Sequence, residues 1–127
     1  MSVHITCHGA GECIGAHRHD FAYAALVLEG GYEEAGPEGV WRIGAGDLVL
    51  HPPFHLHLNR FERGAARVLN LTLPHDQARR LGSTHYAVLQ PRDPDRFARS
   101  AGRDAPQALR EAVFESEASA LAAPRDW

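Results

Sequence analysis

The feature that most restricts the fold is the brevity of the apolar runs and the way glycine and proline close them. Ala24 to Glu29 (AALVLE) is an apolar run bounded by Gly30-Gly31, and Gly36 to Gly39 (GPEG) has the composition of a tight reversal. Proline and glycine supply the dihedrals that such a reversal needs. A run so short and so sharply punctuated suits a strand better than a helix. Val3 to Thr6, Val40 to Ile43, Asp47 to His51 and Phe54 to Phe61 read as further short strands. Val68 to Leu73 alternates, with Leu69, Leu71 and Leu73 on one face. Many short strands between glycine and proline turns predict a mainly β fold, a sandwich or a barrel.

The character changes after Pro74. His75 to Leu81 is expected to form a short helix, and Pro91 to Arg103 a loop with at most one helical turn. From Pro106 a helix is predicted, because Leu109, Val113 and Phe114 make an apolar stripe at helical spacing. Leu121 extends that stripe, and Pro124 stops the helix. The expected division is a β-barrel over residues 1–90 and a loop with a helical segment over 91–127. That segment either packs on the barrel, pairs with a second subunit as a homodimer, or leads to a further domain.

A chain of 127 residues, 44% hydrophobic and 23% charged, is long enough for one soluble domain with its own core. The net charge of −3 offers no general attraction to nucleic acid or to an anionic membrane. No apolar run approaches the roughly 20 residues that span a bilayer. The N-terminus lacks a signal-peptide pattern, so the cytoplasm is the expected compartment. Cys7 and Cys13 do not have the paired spacing of a structural zinc site, and reduced, partly buried thiols are expected.

The chemistry lies in the histidines, 9 of the 127 residues. His17 and His19 are two positions apart, which in a strand puts both on one face. His55 and His57 repeat the arrangement, with Asn59 next on that face. Two such pairs converging inside a barrel make a metal or ligand site, since neutral imidazole is a common ligand for first-row metals. Glu29, Glu33 and Glu34 fall at or beyond a strand end and are expected to be solvated.

With the flanking glycines and prolines, these residues resemble the two motifs of the cupins. Gly11, five residues, then His17-Arg18-His19 is similar to the first, closed by Gly30 or Gly31. Gly46, five residues, Pro52 and then His57 is similar to the second. The resemblance implies a double-stranded β-helix, a jelly-roll-like barrel, with a divalent metal inside. It implies His17, His19 and His57 as the metal ligands, holding zinc, nickel or iron. Three positions depart from the pattern. Tyr23 or Ala24 stands at the glutamate position, Phe54 at the second glycine and Phe61 at the final asparagine. The usual carboxylate is therefore expected to be absent, with Tyr23 or His55 left as a fourth donor. Tyr23, His51 and His55 are the expected ligand-binding residues.

The run from His17 (HRHDFAYAALVLEG), the run from Gly46 (GDLVLHPPFHLH) and LNLTLPHDQARRLG also resemble the N-terminal sensing domain of AraC-type transcription regulators. That resemblance implies a small-molecule effector, and contact with DNA only through a helix-turn-helix domain beyond Trp127. The ending Pro124-Arg125-Asp126-Trp127 reads as a cut at a linker, so a longer protein is expected. The alternative is a free-standing metal-dependent cupin enzyme, such as a dioxygenase, isomerase or lyase. It lacks a well-placed general base, and His51 and His55 are the candidates to serve instead, since imidazole is the commonest general base.

Overall fold

The computed structural model of the protein describes residues 2–61, 64–80 and 85–122, with side chains through residue 117. Eight strands come first: β1 (Ser2–His8), β2 (Cys13–His17), β3 (Ala22–Glu29), β4 (Gly31–Gly36), β5 (Gly39–Gly44), β6 (Leu48–His51), β7 (His57–Arg60) and β8 (Ala66–Leu73). Helix α1 (His75–Arg80), strand β9 (Ala87–Leu89), and helices α2 (Pro94–Arg103) and α3 (Ala105–Ala122) follow. The strands form two antiparallel sheets, ordered β1-β8-β3-β6-β9 and β2-β7-β4-β5. Two facing sheets with the helices outside one of them are the predicted mainly β barrel with C-terminal helices.

Strand β3 explains the continuous apolar text of AALVLE, because both of its faces are buried. Ala22, Ala24 and Leu26 face one core with Leu48, Leu50, Leu69, Leu71 and Leu73, and the helices cover that core with Phe97, Ala101, Ala108 and Leu109. Ala25 and Val27 face the opposite way, into the space between the sheets, with Val49, Val68, Ile43 and Phe61. A strand buried on both faces loses the polar alternation of a half-exposed one. After β3 the chain turns at Gly30, whose φ is 75°. A Cβ there would collide with the Ala65 carbonyl oxygen, so only glycine fits.

Several expectations change. Residues 91–103 are not a loop: α2 covers ten of them. Asp93 caps it by accepting from the Arg96 N–H at 3.0 Å, and Pro94 fills the first helical position. Asp104 repeats the device for α3, accepting from the Gln107 N–H at 3.2 Å. Strand β7 begins at His57 rather than Phe54, because Pro52-Pro53 and a left-handed Phe54 (φ 63°) hold the preceding residues in a turn. In the α3 stripe Leu109 is buried and Val113 partly so, but Phe114 is 73% exposed. The buried helical face is instead completed by Ala105, Ala108 and Ala112. Cys7 and Cys13 are exposed rather than partly buried. Leu81, Pro124 and the side chain of Leu121 lie outside the described residues. Among the described residues, no helix is long and apolar enough to cross a membrane.

Candidate ligand and metal centre

The inward faces of five strands meet at one end of the barrel. In the β3–β6 ladder Tyr23 stands opposite His51, and their rings stack with centroids 4.1 Å apart. In the β2–β7 ladder His17 stands opposite His57, with centroids 4.4 Å apart. In the β4–β7 ladder Glu34 stands opposite Asn59. Two side-chain pairs then hydrogen-bond across between the sheets. The Tyr23 hydroxyl lies 2.7 Å from His57 Nε2, and His51 Nε2 lies 3.0 Å from each oxygen of Glu34.

Glu34 is 1% exposed and is held by further donors. Asn59 Nδ2 donates to Oε1 at 2.9 Å, and the Tyr86 hydroxyl to Oε2 at 2.5 Å. Burial alone would raise its pKa. The hydrogen bond and charge of His51, with the bonds from Tyr86 and Asn59, outweigh that and hold it at about 2. Burial, together with the charges of His51 and His17, brings His57 down to about 4, so its ring is neutral at pH 7. His19 is lowered by burial and by His17 and His51, with Asp20 opposing. Tyr23 is raised by burial and by Glu34, and Tyr86 by burial and its bond to Glu34, so both remain protonated donors.

Glu34, His51 and His57 form a metal-competent group, with one ligand atom of each within 4.8 Å of the others. The donor set fits a divalent cation: an ionised carboxylate, a neutral imidazole, and His51, whose buried Nδ1 has no hydrogen-bond partner among the described residues. Beside the group lies a cavity of about 230 Å³, walled in part by His17, His19, Tyr23, His51 and Phe61. A second cavity of about 360 Å³, at the other end of β3 around Gly30, Arg42 and Arg60, is lined by no histidine.

The expected site residues therefore gather, in a different division of labour. Among the described residues, the expected ligand set His17, His19 and His57 is not the group brought to one point. His57 belongs to that group, His17 packs against its ring, and His19 lies on the cavity wall. His51 joins the metal-competent group, and Tyr23 donates to His57. His55 sits buried in the turn before β7, 3.2 Å from His57. Glu34, for which a solvated charge was expected, is buried and brings a carboxylate to the group from β4. Alternation along β4 was the available signal, because Tyr32 and Glu34 share the inward face while Glu33 points out toward Arg42. Tyr86 and Glu38 had no sequence signal of their own.

The Phe54 turn is tied to this end of the barrel. Its N–H donates to the His19 carbonyl at 2.6 Å, and Phe54 holds the left-handed conformation that a glycine would adopt without strain.

No protein-family profile matches the chain, and no curated protein matches it. Solved structures do. The DMSP lyase DddQ from Ruegeria pomeroyi DSS-3 is 26% identical over 57% of this chain and 38% of its own, with a TM-score of 0.54. A cupin-superfamily protein from Desulfitobacterium hafniense DCB-2 is 17% identical over 56% of this chain and 64% of its own, with a TM-score of 0.52. AraC-family ToxT from Vibrio cholerae O395, bound to (E)-4-(8-methylnaphthalen-1-yl)but-3-enoic acid, is 10% identical over 94% of this chain and 55% of its own. Its TM-score is 0.62. The fold is that of the cupins. The match to ToxT is too long to leave out the helices α2 and α3. The chain spans about two-fifths of DddQ and about half of ToxT.

Proposed function

We propose that this chain is the sensing barrel of an AraC-type transcription regulator, taking a small-molecule effector into the cavity between its sheets. One observation carries the reading. Strands β3, β6 and β8 wall the cavity with one face, through Tyr23, Ala25, His51 and Val68, and carry the helices on the other, through Ala24, Leu26, Leu50 and Leu71. An effector held there pushes on the same strands that seat α2 and α3. It shifts the helices only by binding two arrangements with different affinity. The segment over 91–127 is then the relay, toward a DNA-binding domain or toward a second copy at the exposed Phe114. The ToxT structures, which hold an unsaturated fatty acid in one case and an arylbutenoic acid in another, favour a carboxylic acid as effector. The cavity volume suits a small one. A divalent metal held by Glu34, His51 and His57 would supply positive charge to an acid's carboxylate.

The test is calorimetry with a panel of small carboxylic acids, followed by hydrogen exchange. The expected result is saturable binding that Ala25→Leu abolishes by filling the cavity, with altered protection in α2 and α3. Binding that leaves the helices unaltered, or no binding at all, overturns the sensing role.

A second reading, a metal-dependent enzyme, has its own observation: a protonated Tyr23 hydroxyl beside His57 on the cavity wall, in a chain 26% identical to a lyase over part of its length. It predicts turnover that depends on added metal and falls in Tyr23→Phe. Binding without turnover favours the sensor.

A further inference from the structure

A line of hydrogen bonds leaves the centre through His57 and ends at the protein surface, and its polarity is set by the chemistry of its members. His57 Nδ1 lies 3.1 Å from the His55 carbonyl oxygen. A carbonyl only accepts, so the His57 ring carries a proton on Nδ1. That N–H also lies 3.2 Å from His55 Nδ1, which must therefore be the acceptor. His55 then carries its own proton on Nε2 and donates it to Glu38 Oε1, 2.7 Å away. On the inner side His57 Nε2 is left as a lone pair, and it accepts a hydrogen bond from the Tyr23 hydroxyl at 2.7 Å. Donation runs one way, from Tyr23 to His57 to His55 to Glu38.

The two ends differ in exposure. The His55 side chain is 5% exposed, and that of Glu38, in the turn between β4 and β5, is 39% exposed. The turn is shaped for this contact. A Cβ at Gly36 would lie 3.1 Å from both His55 Cε1 and the Leu56 carbonyl oxygen, closer than side chains comfortably sit. Tyr86 stacks on the other side of His55 with ring centroids 4.7 Å apart, and its hydroxyl reaches Glu34. His55 is thus clamped, and among the described residues the acceptor offered to its Nε2–H is Glu38.

We propose that Glu38 is a positioning residue, which holds His55 in its Nε2–H tautomer and through it fixes the His57 ring with the Nε2 lone pair facing the centre and Tyr23. The hairpin β4–β5 then serves the site twice, with Glu34 directly and with Glu38 at one remove. Direct hydrogen-bond partners of a ligating histidine are worth about 10- to 100-fold in metal affinity, and Glu38, acting one bond further out through His55, should sit at the low end of that range. Only that consequence rests on the metal reading of the site; the tautomer assignment stands by itself.

The experiment is a two-bond ¹H–¹⁵N correlation spectrum of protein labelled at histidine, for wild type, Glu38→Ala and Glu38→Gln, with zinc titrations of the same samples. Signals of His55 and His57 are assigned by their loss in His55→Gln and His57→Gln. Wild type should have His55 protonated at Nε2 and His57 at Nδ1. Glu38→Ala should convert His55 to a mixture of tautomers and weaken zinc binding about tenfold. Glu38→Gln, which keeps an acceptor oxygen, should restore both. Unchanged far-UV circular dichroism establishes that the variants fold. A wild-type His55 protonated at Nδ1, or a His55 spectrum indifferent to Glu38→Ala, overturns the proposal. An altered tautomer with unaltered zinc affinity overturns the positioning of His57. A wild type that binds no zinc overturns the metal reading instead, and the spectra still decide the role of Glu38.

Discussion

His51 Nε2 lies 3.0 Å from each carboxylate oxygen of Glu34, and the two buried side chains come from opposite sheets. This contact joins the sheets at the metal-competent group. Removing Glu34 leaves His51, Asn59 and the Tyr86 hydroxyl without their acceptor. Glu34→Ala should cost several kcal/mol, about 1–3 for each buried donor left without an acceptor. Glu34→Gln keeps an acceptor oxygen and should cost about 1–3 kcal/mol. Urea unfolding midpoints at unchanged slope measure both. Equal and negligible losses would mean that the carboxylate anchors nothing.

Acid should weaken the fold in two steps. His57 titrates at about 4 in the folded barrel against an ordinary 6.5, so the unfolded chain binds the extra proton between those values. Its contribution is whole above pH 6.5 and is lost as pH falls through 4, on the order of 3 kcal/mol. Glu34, at about 2 against 4.5, contributes stability that is present above pH 4.5 and lost toward pH 2. Unfolding free energies measured from pH 7 to pH 4 should decline, and His57→Gln should flatten that decline. A flat wild-type profile over this range contradicts the buried neutral imidazole.

The helix layer separates two residues of one stripe. Leu109 is fully buried and Phe114 is 73% exposed. Leu109→Ala should destabilise by about 2–5 kcal/mol, because the sheet beneath it cannot close the space. Phe114→Ser should change the stability of the isolated chain by less than about 0.5 kcal/mol. Chemical denaturation of the two variants checks the contrast, and comparable losses would place Phe114 in the core.

Phe54 holds a φ of 63° with its side chain 62% exposed. Relieving that backbone should outweigh the little packing lost, so Phe54→Gly should gain about 1 kcal/mol. A thermal melt reads the sign directly. A loss of stability would mean that the exposed ring contributes more than the backbone strain costs.

Much of the barrel was legible because its central strands obey local rules. The runs at Ala24, Asp47 and Val68 are apolar, short and closed by turns. Strands β2 and β4 were missed for the opposite reason: CIGAH is half exposed, and GYEEAG carries two acids between glycines. Helix α2 was missed although Asp93-Pro94 is a capping signature, because its mostly polar composition outweighed the buried pair Phe97 and Ala101. At the centre the histidines were legible by their spacing. Their partners were not, because Glu34, Glu38 and Tyr86 reach His51 and His55 through cross-strand pairing and loop closure, and local sequence encodes neither. The cupin-like motifs named His17, His19 and His57, whereas the metal-competent group is Glu34, His51 and His57.

The most direct test of the centre is a zinc titration of the metal-free chain at pH 7.5, read by competition with a chromogenic chelator. The arrangement of Glu34, His51 and His57 predicts one equivalent bound by wild type. It predicts loss of that site in His57→Ala and in His51→Ala, with His19→Ala still binding. Wild type without a saturable site, or His19→Ala losing the metal while His51→Ala keeps it, would contradict the account.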